Sequence, residues 1–320
     1  MNTKTIVAVT SRSFSNNPQL VKELKKRYAN VMLNDSGATL SGNQLINFLS
    51  PAEKAIIGIE DLSENNLSQL PNLRVISKYG VGLNNINLDY CKSRNIKLGF
   101  VPGVNKQSVA EFALTLILLS LRKIHTNHLD ISNGKWPQSK GFELNGKTIS
   151  ILGFGNIGQK LASFLTPFQC QINFFDERVF TAAEIAEISK NNNIDPDLIK
   201  QVSFEDALRD GDIISIHLPL NEGTQNIVNT EALAHLKSSA VIVNTARGGI
   251  VNEEELFNFL KLNRDNFAAF DVFHEEPAIQ NSLFELENFF GTSHRSSLTF
   301  EGINSMGMAA INGLDDNVNI

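Results

Sequence analysis

Apolar residues recur along the chain in short runs separated by longer amphipathic stretches. The runs "TIVAVT", "KAIIGI", "RVISKYG" and "IKLGFV" have the length of strands, whereas "PQLVKELKKRY" and "SENNLSQLP" between them read as helices. Strand–helix alternation predicts a parallel sheet with helices on both faces. A second series follows: "TISILGFG", "QINFFD", "DIISIHLPL", "AVIVNTARG" and "NFAAFDVF", again alternating with helical segments such as "NIGQKLASFL" and "NEEELFNFLKL". The predicted fold class is therefore α/β, two parallel sheets in tandem with a changeover near residues 100–145. The pivot is a long helix in "GVNKQSVAEFALTLILLSLRK", with Asn105 or Ser108 as its N-cap, Glu111 in its first turn, and Arg122 and Lys123 in its last. Its segment Phe112–Leu121 is apolar nearly all round, which predicts burial on several sides, a subunit interface being one setting. That run is about half of what a membrane span needs.

Composition narrows the picture. A chain of 320 residues is long for one core, so two domains are expected, and 42% hydrophobic with 19% charged residues excludes a disordered chain. A net charge of −6 without a Lys/Arg block disfavours a nucleic-acid partner. Cys91 and Cys170 lie far apart and read as buried residues in a reducing compartment, with no metal site. The opening apolar stretch is too short for a signal-peptide core, so a cytoplasmic location is expected. "KNNNIDPD", after Ser189, reads as a polar loop.

The most informative stretch is "ISILGFGNIGQKLASF". Gly153, Gly155 and Gly158 form GxGxxG between an apolar strand and a helix pattern, with Asn156 and Ile157 at the helix start. Gly153 permits the turn, Gly155 lets a pyrophosphate approach the backbone, and Gly158 lets the helix pack on the sheet. The next strand ends at Asp176, where an acid accepts ribose hydroxyls and repels a 2′-phosphate. That favours NAD over NADP, with Arg178 the one contrary signal. Parallel sheets bind ligands beyond the carboxyl ends of their strands. There the chain places His217 and Pro219, then Thr245, Ala246 and Arg247, then Asp271 and Glu276, and finally His294.

An arginine, a carboxylate and a histidine beside a nicotinamide suit hydride exchange at a carbon bearing a hydroxyl or ketone. Histidine moves the proton, a carboxylate stabilises its imidazolium, and arginine grips a carboxylate or polarises a carbonyl. His294 is assigned as acid/base, Glu276 as its partner and Arg247 as the substrate clamp. Blander readings exist: Arg247 paired with Glu253–Glu255, and Glu276 as a turn residue before Pro277. His217 reads as structural or cofactor-lining, and His125, His128, His235 and His274 as surface residues.

Taken together, "SKYGVGLNNI", "PGVNKQSVAEFAL", "GKWPQSKGFELNGKTISILGFGNIG", "SIHLPL", "NTARGGIVNEEEL" and "DVFHEEP" resemble the D-isomer-specific 2-hydroxyacid dehydrogenases, in particular phosphoglycerate dehydrogenase-like members. The resemblance implies an NAD-binding Rossmann domain, 101–294, inserted into a flavodoxin-like substrate-binding domain, 1–100 plus 295–320. It implies catalytic Arg247, Glu276 and His294, and backbone of Gly80, Val81 and Gly82 on the substrate carboxylate. Asp271 would lie on the nicotinamide carboxamide, and Thr245 and Ala246 on the cofactor. The helix from Val109 would be an arm of a homodimer, and the C-terminus would return as a helix to the first lobe.

The departure lies in "GTSHRSS". The family has proline before the histidine and then an apolar residue followed by small residues or glycines, where this chain has Ser293, Arg295, Ser296 and Ser297. Arg295 adds a cation beside the proposed base, which suggests a second anionic group on the substrate. An NAD-binding sensor on the same fold is the alternative function, and the complete Arg247/Glu276/His294 set argues against it.

Overall fold

The computed structural model describes residues 2–319 and divides them into two compact units. The first joins the stretch up to Asn105 to the stretch from Ser297, and the second is the continuous span Lys106–Ser296 between them. The strands of the first unit are Asn2–Val9 (β1), Tyr28–Leu33 (β2), Lys54–Ile57 (β3), Val75–Lys78 (β4) and Lys97–Gly99 (β5). They form an all-parallel sheet of order β2-β1-β3-β4-β5, the flavodoxin-like order. The strands of the second are Thr148–Leu152 (β6), Gln171–Phe175 (β7), Ile199–Gln201 (β8), Ile213–Ile216 (β9), Val241–Asn244 (β10), Phe267–Phe270 (β11) and Phe289–Gly291 (β12). Their order, β12-β11-β10-β9-β6-β7-β8, is that of a Rossmann sheet with one added edge strand.

Strand alternation explains why each sheet has two cores. On the second unit Ile149, Ile151, Ile172 and Phe174 face one cluster, and Leu152, Ile214, Ile216 and Ile242 face the other. Both faces are buried, so the strands read as continuous apolar runs rather than alternating ones. On the first unit Ala8, Ala55 and Ile57 face one cluster, and Val7, Val9 and Ile56 the other. The helix Phe300–Gly313 packs on this second face through Met306, Ala310 and Ile311. Its end meets β5 so closely that a Cβ on Gly99 would stand 2.2 Å from the Gly313 carbonyl oxygen.

Several expectations need correction. The long helix is Lys106–Leu121, so Ser108 lies inside it; Asn105 precedes it, but its buried Oδ1 has no partner among the described residues. Glu111 falls beyond the first turn, and Arg122 and Lys123 fall past the end. Lys123 adopts a left-handed conformation (φ 51°) and opens a separate helix, Ile124–Ser132. One face of the first helix, with Ala110, Ala113, Leu116 and Ile117, sits in the core of its own unit. The next segment carries exposed apolar residues, with Ile124, Leu129, Ile131, Trp136 and Phe142 on the surface. "KNNNIDPD" is only partly a loop. A capping box of Thr181 and Glu184 starts a helix that runs to Asn192, and Asn193 at φ 55° stops it. Among the described residues no helix is long and apolar enough to cross a membrane, and no His/Cys/Asp/Glu group could hold a metal.

Candidate active site

The glycine loop sits between β6 and β9, where the strand order of the second sheet reverses. Gly153, at φ 99°, lies against the His217 backbone; a Cβ there would come within 2.7 Å of the His217 carbonyl. A Cβ on Gly158 would lie 2.3 Å from the Gly153 oxygen, so the helix packs this closely only with glycine. At Gly155 an added Cβ would meet nothing within 4 Å: the space above the N-cap of the helix Asn156–Leu165 is open. The N–H groups of Asn156, Ile157 and Gly158 belong to the first turn, where intrahelical acceptors are lacking, and they suit an anion.

Asp176, at the end of β7, accepts from the Phe154 amide at 2.7 Å and from the Arg178 amide at 3.1 Å. The Arg178 guanidinium pairs with Glu184 and lies over the Phe180 ring, 4.6 Å from its centroid. The cation that argued for NADP is thus already engaged. At the ends of β9 and β10, His217 Nδ1 and Thr245 Oγ1 are buried polar atoms without partners among the described residues. Unmatched atoms of this kind are costly unless a ligand completes them. His217 Nε2 bonds Ser215 Oγ at 2.8 Å, and burial drives its pKa down to about 4, so the ring is neutral. Pro219 is exposed and Ala246 buried on the same edge. The open cradle, the terminal acid and the orphaned polar atoms fit a dinucleotide.

Arg247 is presented by a turn that Asn244 folds. The buried Asn244 side chain accepts from the Ala246 amide and donates to the Arg247 carbonyl, both at 3.0 Å. Gly248 then lies against the peptide of Phe273 and His274, so near that a Cβ would stand 1.9 Å from the Phe273 carbonyl. The turn after β10 is thereby pressed onto the turn after β11, which carries Glu276. Burial lowers the Arg247 pKa and the Glu276 charge opposes that, so the guanidinium stays protonated beside the carboxylate. Glu253 and Glu255, its rival partners, bond elsewhere: Glu253 to His274 and Asn281, Glu255 to Thr230 and Asn252.

Glu276 is fixed at both oxygens. Oε1 accepts from the Phe273 amide at 3.1 Å, and Oε2 meets His294 Nδ1 at 2.8 Å. Burial pushes its pKa up, but the bond and charge of His294, the Phe273 amide and Arg247 outweigh that and hold it below the usual carboxylate range. His294 follows β12 in a left-handed conformation (φ 51°), its amide bonded to the Asp271 carbonyl at 2.8 Å. Asp271, expected against the nicotinamide, is 0% exposed. Its carboxylate is engaged by the chain itself. Oδ1 accepts from Thr292 Oγ1 (2.6 Å) and the Arg295 amide (2.8 Å), and Oδ2 from the Ser296 amide (2.8 Å).

On the first unit, the loop Gly80–Gly82 follows β4. Gly80 has φ 131°, and the preceding Lys78 donates to the Gly58 carbonyl at 2.5 Å and to Asn85 at 2.6 Å. Of the histidines expected at the surface, His128, His235 and His274 are exposed, but His125 is half-buried, edge-on to Phe290 at 4.9 Å. The residues that sequence reasoning passed over are Asn244, Gly248 and Thr292, which shape the turns that carry Arg247 and His294. The glycine directly after the arginine was the available signal.

Comparison with known proteins follows the same lines. The description "D-isomer specific 2-hydroxyacid dehydrogenase, NAD binding domain" matches residues 114–296. A hydroxypyruvate reductase of Thermotoga maritima is 35% identical over 75% of this chain and 76% of its own length. A D-3-phosphoglycerate dehydrogenase of Methanocaldococcus jannaschii is 32% identical over 75% of this chain but only 45% of its own length. Among solved structures, an NAD-dependent formate dehydrogenase from Staphylococcus aureus in complex with NAD superposes with a TM-score of 0.78 and 27% identity, covering 98% of this chain and 94% of that one.

Proposed function

The chain belongs to the D-isomer specific 2-hydroxyacid dehydrogenases, NAD-dependent enzymes, and from that premise we propose that it interconverts a short D-2-hydroxy acid and its 2-oxo acid through His294, Glu276 and Arg247. The observation that carries the residue assignment is the 2.8 Å contact of His294 Nδ1 with a Glu276 carboxylate that Arg247 also faces. Because Nδ1–H donates to Glu276, the neutral ring presents Nε2 as its acceptor.

NAD supplies the hydride acceptor in oxidation and NADH the donor in reduction. The chain's residues handle everything else. In oxidation, His294 Nε2 takes the hydroxyl proton while the hydride leaves carbon 2. In reduction, the imidazolium returns that proton to the carbonyl oxygen, and Glu276 stabilises the charged ring in both directions. Arg247 stays charged and offers two N–H groups to a carboxylate or carbonyl oxygen. Asp176 favours NAD by excluding a 2′-phosphate, with Gly153, Gly155, Asn156, Ile157, Gly158, His217, Pro219, Thr245 and Ala246 lining the cofactor. Gly80, Val81 and Gly82 are the proposed backbone donors to the substrate carboxylate.

The relatives' names make hydroxypyruvate and 3-phosphohydroxypyruvate the first substrates to try. Arg295 favours an acid with a second anionic group, since its guanidinium has no partner among the described residues. A homodimer buries the exposed apolar residues Ile124, Leu129, Ile131 and Trp136, and a cytoplasmic setting suits the buried, unpaired Cys91 and Cys170. The test of the reading is His294→Ala. It should lose most turnover of any 2-oxo acid the enzyme reduces while still binding NADH; undiminished turnover removes His294 from the mechanism.

A further inference from the structure

The loop carrying His294 lacks the proline and glycines that would preset its backbone, and yet it holds a histidine at φ 51°. A non-glycine residue incurs a steric cost in this region, which bonds from outside the loop can offset. We propose that Asp271 is the positioning residue of the proton-transfer histidine: its buried carboxylate clamps the loop on both sides of His294 and thereby sets the contact with Glu276. This rests on the role proposed above for His294.

The clamp is built from four bonds to one residue. Upstream of His294, Thr292 Oγ1 donates to Asp271 Oδ1 at 2.6 Å. Downstream, the successive amides of Arg295 and Ser296 donate to Oδ1 and Oδ2, both at 2.8 Å. The His294 amide itself donates to the Asp271 main-chain carbonyl at 2.8 Å. Consecutive amides around a left-handed residue make a concavity that suits an anion, and here the chain's own carboxylate fills it. Asp271 is fully buried, and among the described residues these donors satisfy its carboxylate. Its own backbone is fixed by pairing with Asn244, the residue that folds the Arg247 turn. The clamp therefore refers the histidine to the same strand ends that carry the arginine.

The position of His294 is consequently sensitive to the number of acceptors at residue 271. Asp271→Asn keeps the shape but turns one acceptor oxygen into a donor that faces an amide. Turnover measured at saturating NADH should fall at least about tenfold. In a His294→Ala background the same substitution should change residual turnover by less than about twofold, because nothing is left to position. A crystal structure of the single variant should show the His294–Glu276 contact broken. Should Asp271→Asn not fold, Thr292→Val removes one donor only, and its smaller loss should likewise vanish in the His294→Ala background. The inference is overturned by full turnover in Asp271→Asn, by an equal loss with and without His294, or by a retained 2.8 Å contact between His294 and Glu276. Undiminished turnover in His294→Ala is a different result: it rejects the role of the histidine itself.

Discussion

Glu276→Gln isolates the charge of the carboxylate from its shape. Glutamine can still accept the His294 Nδ1–H, so the ring keeps its bond while the imidazolium loses its counter-charge; the glutamine NH2 then faces the Phe273 amide, which costs stability rather than turnover. A charge-assisted hydrogen bond is worth about 1.5–3 kcal/mol. The two side chains are 43% and 36% exposed, so solvent screens the pair and about 1–2 kcal/mol is the realistic range. Because the imidazolium forms along the reaction, that energy acts on the transition state, and kcat should fall by roughly 5- to 30-fold. Steady-state NADH oxidation at saturating 2-oxo acid reads it directly, and the KM for NADH should not move. The pH behaviour follows from the depressed pKa. Glu276 contributes stability that is present above its unfolded pKa near 4.5 and is lost as pH falls through its lower folded value, and the glutamine variant lacks this acid dependence. An unchanged kcat, or a loss beyond about a thousandfold, would refute the reasoning, the second because it would place Glu276 on the substrate.

Other consequences are checked by simpler measurements. His217 is held neutral with a pKa of about 4 against 6.5, so stability should fall as pH drops from about 6.5 to about 4, by at most about 3 kcal/mol; His217→Gln should flatten that part of the thermal-melting profile. Asp176→Asn should raise the NADPH-to-NADH preference by roughly tenfold, and adding Glu184→Gln, which keeps the helix cap but frees Arg178, should raise it further. Gly158→Ala forces a Cβ to 2.3 Å from the Gly153 oxygen and should cost about 1–3 kcal/mol in denaturant unfolding, together with weaker NADH binding. Trp136→Glu should shift the mass measured by light scattering from dimer to monomer, and a monomeric starting protein would reject the proposed interface.

Strands buried on both faces announce themselves as apolar runs, which is why β3, β4, β6, β7 and β9 to β11 are visible in the chain, while β1 and β5, less fully covered, still show through "TIVAVT" and "IKLGFV". Two edge strands, β2 and β8, do not show as apolar runs. Tyr28–Leu33 follows a helix without a break and is half exposed, and Ile199–Gln201 is three residues long with a lysine at its centre. The apolar helix Lys106–Leu121 was legible as buried but not as to what buries it: an all-round apolar surface looks the same against its own sheet or against another subunit. For the proposed site, spacing and strand ends pointed to Arg247, Glu276 and His294 as candidates. They could not locate the clamp. Asp271 and Thr292 are 21 residues apart, and their bond exists because β11 and β12 run side by side. The close approach of Gly248 to Phe273 is likewise a property of neighbouring strand ends, not of any local pattern.

The central claim is that this chain moves a hydride between NAD and a 2-hydroxy acid with His294 as the proton-transfer residue. The most direct measurement is NADH oxidation by the wild-type and His294→Ala proteins across a panel of short 2-oxo acids that includes hydroxypyruvate, glyoxylate and 3-phosphohydroxypyruvate. The account predicts turnover of at least one acid by the wild type, lost by about a hundredfold or more in the variant while NADH binding persists. Turnover of none of them, or equal turnover by both proteins, would contradict it.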